Sequence, residues 1–318
     1  MSLGLIFDPR FCDHDTGGSH PERPDRLRAI IQRLDQGELA GRFERLAFEP
    51  CGNTDTLARV HDADYIEHVH ERCAAGAPYL DSMDTPVCRA SYDIACLAVG
   101  GALAAADAVM AGQVQRAFCA VRPPGHHAER SLAMGFCLFN NIAIAAEHLA
   151  AAHGIKRIAI VDFDVHHCNG TQHSFEHRAD VLVVSSHEHP KFQFPGTGYE
   201  HENGVGEGLG ATVNAPLLPG TDDAVMREAF ESRLLPAIDA FKPQVLLVSA
   251  GFDAAAADPL GGLQWSNDAY GWITDRLVEI ADRHSDGRIV SFLEGGYSLE
   301  ALADGVELHL QRLSDDAR

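Results

Sequence analysis

Asp164 and His166 lie two residues apart just past an apolar run, Arg157-Ile-Ala-Ile-Val161. Asp253 follows a second such run, Gln244-Val-Leu-Leu-Val-Ser249. Side chains two apart on an extended chain project to one side, so Asp164 and His166 face the same space where the first strand runs out. Two carboxylates and an imidazole suit one divalent ion. Three protein ligands leave a position for water, the pattern of a catalytic rather than a structural zinc. Singly, each residue is more often a turn or helix-cap residue; as a set at two strand ends they point to a metal centre.

Two further clusters add proton-transfer chemistry. In Arg122-Pro-Pro-Gly-His126-His127, the prolines and glycine make a rigid entry to two adjacent imidazoles. An unperturbed pKa of about 6.5 suits such a ring to general-base work at neutral pH. In Phe292-Leu-Glu-Gly-Gly-Tyr297, two glycines let the backbone approach a ligand, and the Tyr297 hydroxyl can donate to an oxyanion. Taken alone, a loop histidine pair is commonly surface and such a tyrosine a core or capping residue.

The scaffold that must position these groups alternates β-like with helical runs. Strands are expected at 3–8, 117–121, 157–163, 180–186, 211–215, 244–250 and 288–293, and helices at 22–36, 62–75, 88–111, 137–153, 222–240, 267–284 and 298–313. This alternation predicts an α/β fold with a mostly parallel sheet covered on both faces. No repeat, low-complexity tract or linker divides the chain, so one domain over 1–318 is expected. Loops at 121–136 and 187–210 are longer than a compact domain needs for connection alone, which marks them as functional. The glycine-rich Gly204-Val-Gly-Glu-Gly-Leu-Gly210 precedes a strand instead of linking strand to helix, so it is no dinucleotide fingerprint, and a P-loop is missing.

Composition narrows the partners. With 25 Lys plus Arg against 46 Asp plus Glu, the formal charge of −21 repels phosphate backbones and anionic membranes, which argues against direct nucleic-acid or membrane binding. The start lacks a basic n-region and cleavage site, and no apolar run is read as approaching the roughly 18 residues of a spanning helix. Eight cysteines without any Cys-x-x-Cys indicate neither a disulfide framework nor a cysteine zinc site. A cytoplasmic protein is expected.

The set resembles the zinc-dependent histone deacetylases and acetylpolyamine amidohydrolases of the arginase/deacetylase fold. The matching blocks are His20-Pro-Glu-Arg-Pro-Asp-Arg26, Arg122-Pro-Pro-Gly-His-His127, Gly135-Phe-Cys-Leu-Phe-Asn-Asn141, Asp162-Phe-Asp-Val-His-His167, Phe194-Pro-Gly-Thr-Gly198, Ser249-Ala-Gly-Phe-Asp253, Asp258-Pro-Leu-Gly-Gly262 and Leu293-Glu-Gly-Gly-Tyr297. They keep the family's order along nearly the whole chain. The Leu-Glu-Gly-Gly-Tyr form and Asn169 are similar to class II deacetylases and their bacterial relatives. The resemblance implies a single domain around a sheet of about eight strands.

It also implies roles. One zinc per chain would be held by Asp164, His166 and Asp253, with His127 as general base and then acid, His126 assisting beside Asp162, and Tyr297 on the oxyanion. Asn169 would orient His127, lending it less basicity than the aspartate of class I enzymes. Gly135, Phe136, Phe194 and Leu260 would line an acyl-lysine tunnel, with Asp84 at its rim. A structural potassium ion would sit at Asp162, Asp164, His166, Ser185 and Ser186, and Arg26 would line an interior channel. The implied substrate is an acylated lysine of a protein or peptide, or a small acylated amine. Dedicated polyamine deacetylases carry a Glu where this chain has Leu260, which disfavours that alternative.

Three departures stand out: Cys168 where the family has Gly, Gln193 for one of two Phe residues, and Leu138 for an aromatic. The last two imply a wider or more polar tunnel. Two other activities compete, a catalytically silent acyl-lysine binding module and an arginase-like dinuclear manganese hydrolase. The second lacks extra ligands, since Ala255 stands two beyond Asp253.

Overall fold

Eight short runs, most of them rich in Val, Ile, Leu and Ala, join into one sheet in the computed structural model, which describes residues 3–314. Met1, Ser2 and residues 315–318 lie outside the described residues, and with them the ends of the expected 1–318 domain and part of the leader reading. The strands are β1 (Leu3–Ile6), β2 (Phe43–Arg45), β3 (Arg116–Cys119), β4 (Ile158–Asp162), β5 (Val181–Glu188), β6 (Thr212–Leu217), β7 (Val245–Ala250) and β8 (Ile289–Leu293). Their order is β2-β1-β3-β8-β7-β4-β5-β6, and every neighbouring pair is parallel, so the sheet is wholly rather than mostly parallel. Sequence reasoning missed β2, whose Phe43-Glu-Arg45 is partly exposed at the sheet edge and carries no apolar run.

Helices among the described residues are α1 (Asp25–Gln36), α2 (Thr54–Leu57), α3 (Ala63–Ala75), α4 (Ser91–Met110), α5 (Asn141–Ala152), α6 (Asn169–Phe175), α7 (Asp223–Ala229), α8 (Leu235–Phe241), α9 (Asn267–His284) and α10 (Leu299–Ser314). The helix expected over 222–240 is interrupted, because a π-turn at Phe230–Leu234 separates α7 from α8. That expected over 137–153 begins late. Gly135 and Phe136 both take positive φ (57° and 69°), and the Asn140 side chain caps α5 by accepting from Ala143 N at 3.0 Å. One expectation fails outright: α4 is 20 residues long and apolar enough to cross a membrane by length and composition. It is nevertheless 72% buried inside the protein, packed on β1, β3 and α5 as a core helix.

The strand ends align where the chemistry was expected. Asp162 at the end of β4 lies in register with Ser249 of β7 on one side and Ser185 of β5 on the other, and Ser249 in turn with Phe292 of β8. The C-terminal edge around β8, β7 and β4 is where the strand order reverses, the usual place for a ligand crevice in an open α/β sheet.

Three histidines remote from that edge are buried as neutral rings. His14 bonds Ser91 Oγ (2.7 Å), His61 takes Asn140 N (2.9 Å), and His309 bridges Thr274 and Ser291 (2.7 and 2.9 Å). Burial drives His14 and His61 down to about 4 and His309 to about 3 from 6.5. The unfolded chain therefore binds protons between pH 6.5 and 4 that the folded one refuses. The stabilisation is complete above pH 6.5 and lost as pH falls through that window, at about 3 kcal/mol for each ring held near 4. Urea midpoints of the metal-free protein are expected to fall from pH 7 to pH 5, and His309→Gln to show a shallower fall. An equal fall would contradict this.

Candidate active site

Asp164, His166 and Asp253 converge in space although 87 residues separate the last two in sequence (253 minus 166). All three are buried, and one ligand atom from each lies within 4.8 Å of the others. His166 Nδ1 stands 3.0 Å from Asp164 Oδ1 and 3.2 Å from Asp253 Oδ2. Asp253 Oδ1 is used by Val165 N at 2.9 Å, while Oδ2 is buried without a hydrogen bond of good geometry. The cradle is kept open by glycine. A Cβ on Gly295 would come 2.0 Å from Asp253 Oδ2, and one on Gly251 2.0 Å from Asp164 Oδ2. Packed oxygens and an imidazole without a cation are mutually unfavourable. Burial and the Asp164 charge push Asp253 up to about 7, while burial of His166 is outweighed by Asp164 and Asp253, which raise it to about 10. A divalent ion removes both conflicts, so this donor set fits zinc.

The paired imidazoles sit beside it, ring centroids 4.0 Å apart, with His127 5.8 Å from the His166 ring. His127 Nδ1 lies 2.7 Å from Asn169 Oδ1, and Asn169 Nδ2 donates to Glu129 at 2.5 Å. That second bond fixes the amide orientation, so Nδ1 of His127 carries the proton and Nε2 keeps a lone pair. His127 is driven well below 6.5 by burial and by the neighbouring His126 and His166. His126 behaves oppositely: burial is overcome by Asp162, Asp164 and Glu294, which raise it to about 10. Its Nδ1 is 2.9 Å from Asp162 Oδ2. Two adjacent rings thus divide the work, one neutral and one cationic.

Tyr297 is half-buried, its ring 5.0 Å from the Arg26 guanidinium and edge-on to Phe136 at 5.9 Å. Its backbone N donates to Asp258 Oδ2 (2.6 Å), and Asp258 Oδ1 accepts from Leu260 N (3.0 Å), so one carboxylate ties the Leu260 loop to Tyr297. Phe194 meets the His127 ring edge-on at 5.0 Å and lies 6.3 Å from His166. Gly135 is the one residue that fits its place: its φ is +57°, and a Cβ would sit 2.3 Å from the His127 ring. Phe136 beside it holds a left-handed φ of 69°, a strained conformation of the sort that clusters at ligand sites.

Some expected residues do other work. Leu138 is fully buried in the core and widens nothing. Asp84 accepts from Ser82, from Thr85 Oγ1 at 2.9 Å and from Gly135 N at 3.3 Å, so its carboxylate braces the loop that carries Phe136. Gln193 donates to the Leu260 carbonyl at 2.8 Å, pinning the loop opposite. Cys168 has φ −79°, which any residue adopts. Its thiol is fully buried, and burial together with the nearby Asp162 pushes it well above its usual range.

Sequence reasoning missed three carboxylates. Glu294 accepts from the backbone N of Gly125 (2.8 Å) and His126 (3.2 Å), holding the histidine loop. Glu129 backs Asn169, giving the neutral amide a negative charge behind it. Glu22, with both oxygens on Arg122 (2.5 and 2.7 Å) and one on Arg26 (3.1 Å), is held down at about 2 because the two guanidinium groups outweigh its burial.

A histone deacetylase domain profile matches residues 20–313. Over 279 residues the chain is 42% identical to a histone deacetylase-like amidohydrolase of Pseudomonas aeruginosa, covering 88% of this chain and 73% of that one. It is 40% identical over 304 residues to the polyamine deacetylase HDAC10 of Homo sapiens, 93% of this chain and 45% of that protein. Among solved structures, the HDA15 HD domain superposes with a TM-score of 0.93 at 37% identity, covering 98% of this chain and 89% of the other.

Proposed function

The chain belongs to the histone deacetylase family and is a hydrolytic deacetylase, and on that premise we propose that it is a zinc-dependent amidohydrolase acting on acylated lysine side chains. The observation that carries this is the buried Asp164, His166 and Asp253 cluster, in which Asp253 Oδ2 makes no well-formed hydrogen bond, set against the neutral ring of His127. Zinc held there supplies a Lewis acid that polarises an amide carbonyl and lowers the pKa of a water toward about 7. His127 accepts that water's proton on Nε2 and delivers it to the departing amine nitrogen. His126, kept cationic by Asp162, Asp164 and Glu294, stabilises the negative charge that develops beside it. Tyr297 donates its hydroxyl to the oxyanion. Phe136 and Phe194 flank the methylene stem of the substrate, whose burial contributes about 0.8 kcal/mol per CH₂.

Behind this centre we place a structural potassium ion on the side chains of Asp162 and Ser185, which lie in register on adjacent strands. By resemblance to the family, main-chain carbonyls of Asp164, His166 and Ser186 would complete its shell. Its eight free thiols suit a reducing cytoplasm.

Acyl-lysine is favoured over acetylpolyamine because Leu260, in the loop that Asp258 ties to Tyr297, offers no charge to an ammonium group. The nearby Glu188 already accepts from Gly262 N at 2.6 Å. In a panel of acyl-lysine peptides and acetylated putrescine and spermidine, kcat/KM is expected to favour the peptides. Leu260→Glu should move the ratio toward the polyamines by at least about tenfold, or ~1.4 kcal/mol of differential binding. A wild-type preference for acetylpolyamines would overturn this choice.

A further inference from the structure

Among the described residues, one other group of three metal-ligating side chains converges besides the catalytic cluster: Asp107, His148 and His153. Asp107 lies in the last turn of α4, His148 in the second half of α5, and His153 at the α5 C-cap. His148 Nε2 and His153 Nε2 lie 2.7 and 2.6 Å from the same Asp107 Oδ1, and the three ligand atoms fall within 4.8 Å of one another. The two rings stand nearly perpendicular, 5.6 Å apart. Both imidazoles are mostly shielded, at 18% and 26% side-chain exposure, while Asp107 is 53% exposed. The cluster is therefore braced by the protein on one side and open to water on the other.

Two imidazoles and a carboxylate match the ligand preference of late divalent transition ions, and water can complete a tetrahedral shell. A chain with a formal charge of −21 also concentrates cations at its surface. We propose that Asp107, His148 and His153 form a peripheral site for a divalent ion of the zinc class, separate from the catalytic centre. The ion clips the C-terminal ends of α4 and α5 together. The 12-residue α5 spans about 18 Å, and at its other end Asn141 Nδ2 donates to the Pro123 carbonyl in the loop leading to His126. The clip therefore steadies a helix whose far end abuts the histidine loop.

The test is equilibrium dialysis of the full chain against buffered free zinc, with bound metal counted by elemental analysis. The wild type is expected to bind two equivalents. A His148→Ala, His153→Ala double variant should hold one, with the second weakened at least ~10-fold. Asp107→Asn, which keeps the shape of the cluster, should do the same. Thermal stabilisation by the second equivalent should appear in the wild type and vanish in both variants, while deacetylase turnover on the first equivalent stays unchanged. Variants that bind as many equivalents as the wild type, whether one or two, would overturn the proposal. Because the count is independent of turnover, failure of the catalytic assignment would show as lost activity with this site still filled.

Discussion

Tyr297→Phe is expected to lower kcat by roughly 10²–10³-fold with KM nearly unchanged, since the hydroxyl acts on charge that exists only in the transition state. The substitution is close to isosteric, and what holds the ring does not involve the hydroxyl. Arg26 packs at 5.0 Å, Phe136 meets the edge at 5.9 Å, and the backbone N is fixed on Asp258. The aromatic wall and the loop geometry therefore survive, and only a donor is lost. That donor is reliably protonated. Burial pushes the phenol well above its usual range and, with Asp253 and Asp164, overrides the nearby Arg26. Steady-state kinetics with an acetyl-lysine peptide, alongside an unchanged melting temperature, checks the expectation. A variant that keeps wild-type kcat would remove Tyr297 from the chemistry.

The chemistry was legible in the sequence because its carriers sit at the ends of strands buried on both faces. Ile158–Asp162, Val245–Ala250 and Ile289–Leu293 are near-continuous apolar runs, so their boundaries announce where polar groups begin. Short or polar elements left no such trace. The strand Phe43–Arg45 has three residues, two of them charged, and the helix Asn169–Phe175 opens on Asn-Gly, a pair that by itself signals a turn. Supporting carboxylates were hidden for another reason. Glu294 reaches Gly125 across 169 residues, and no local pattern encodes such a partner. Glu22 had a usable signal: it stands four residues before Arg26, and Arg122 directly follows the apolar Ala117-Phe-Cys-Ala-Val121, so a buried charge needing a partner could have been sought. Cys168, which stands where the family has Gly, takes a φ of −79° that demands no glycine.

Removing the catalytic ion has the largest expected effect of all. The cluster of Asp164, His166 and Asp253 offers two carboxylates and one imidazole within 4.8 Å, and neither His127 nor Tyr297 alone generates a nucleophile from water at neutral pH. Residual catalysis from positioning alone falls orders of magnitude short of metal-assisted hydrolysis. Asp253→Ala should behave as the stripped protein does at any zinc concentration, because it deletes a ligand whose Oδ2 has no other hydrogen-bonding duty. The direct measurement is acetyl-lysine turnover of chelator-stripped wild type as zinc is added back. Activity should be absent from the stripped protein and fully restored as the tightest site fills with one equivalent, while Asp253→Ala stays silent. Undiminished hydrolysis without metal, or recovery of Asp253→Ala at one equivalent, would contradict the account.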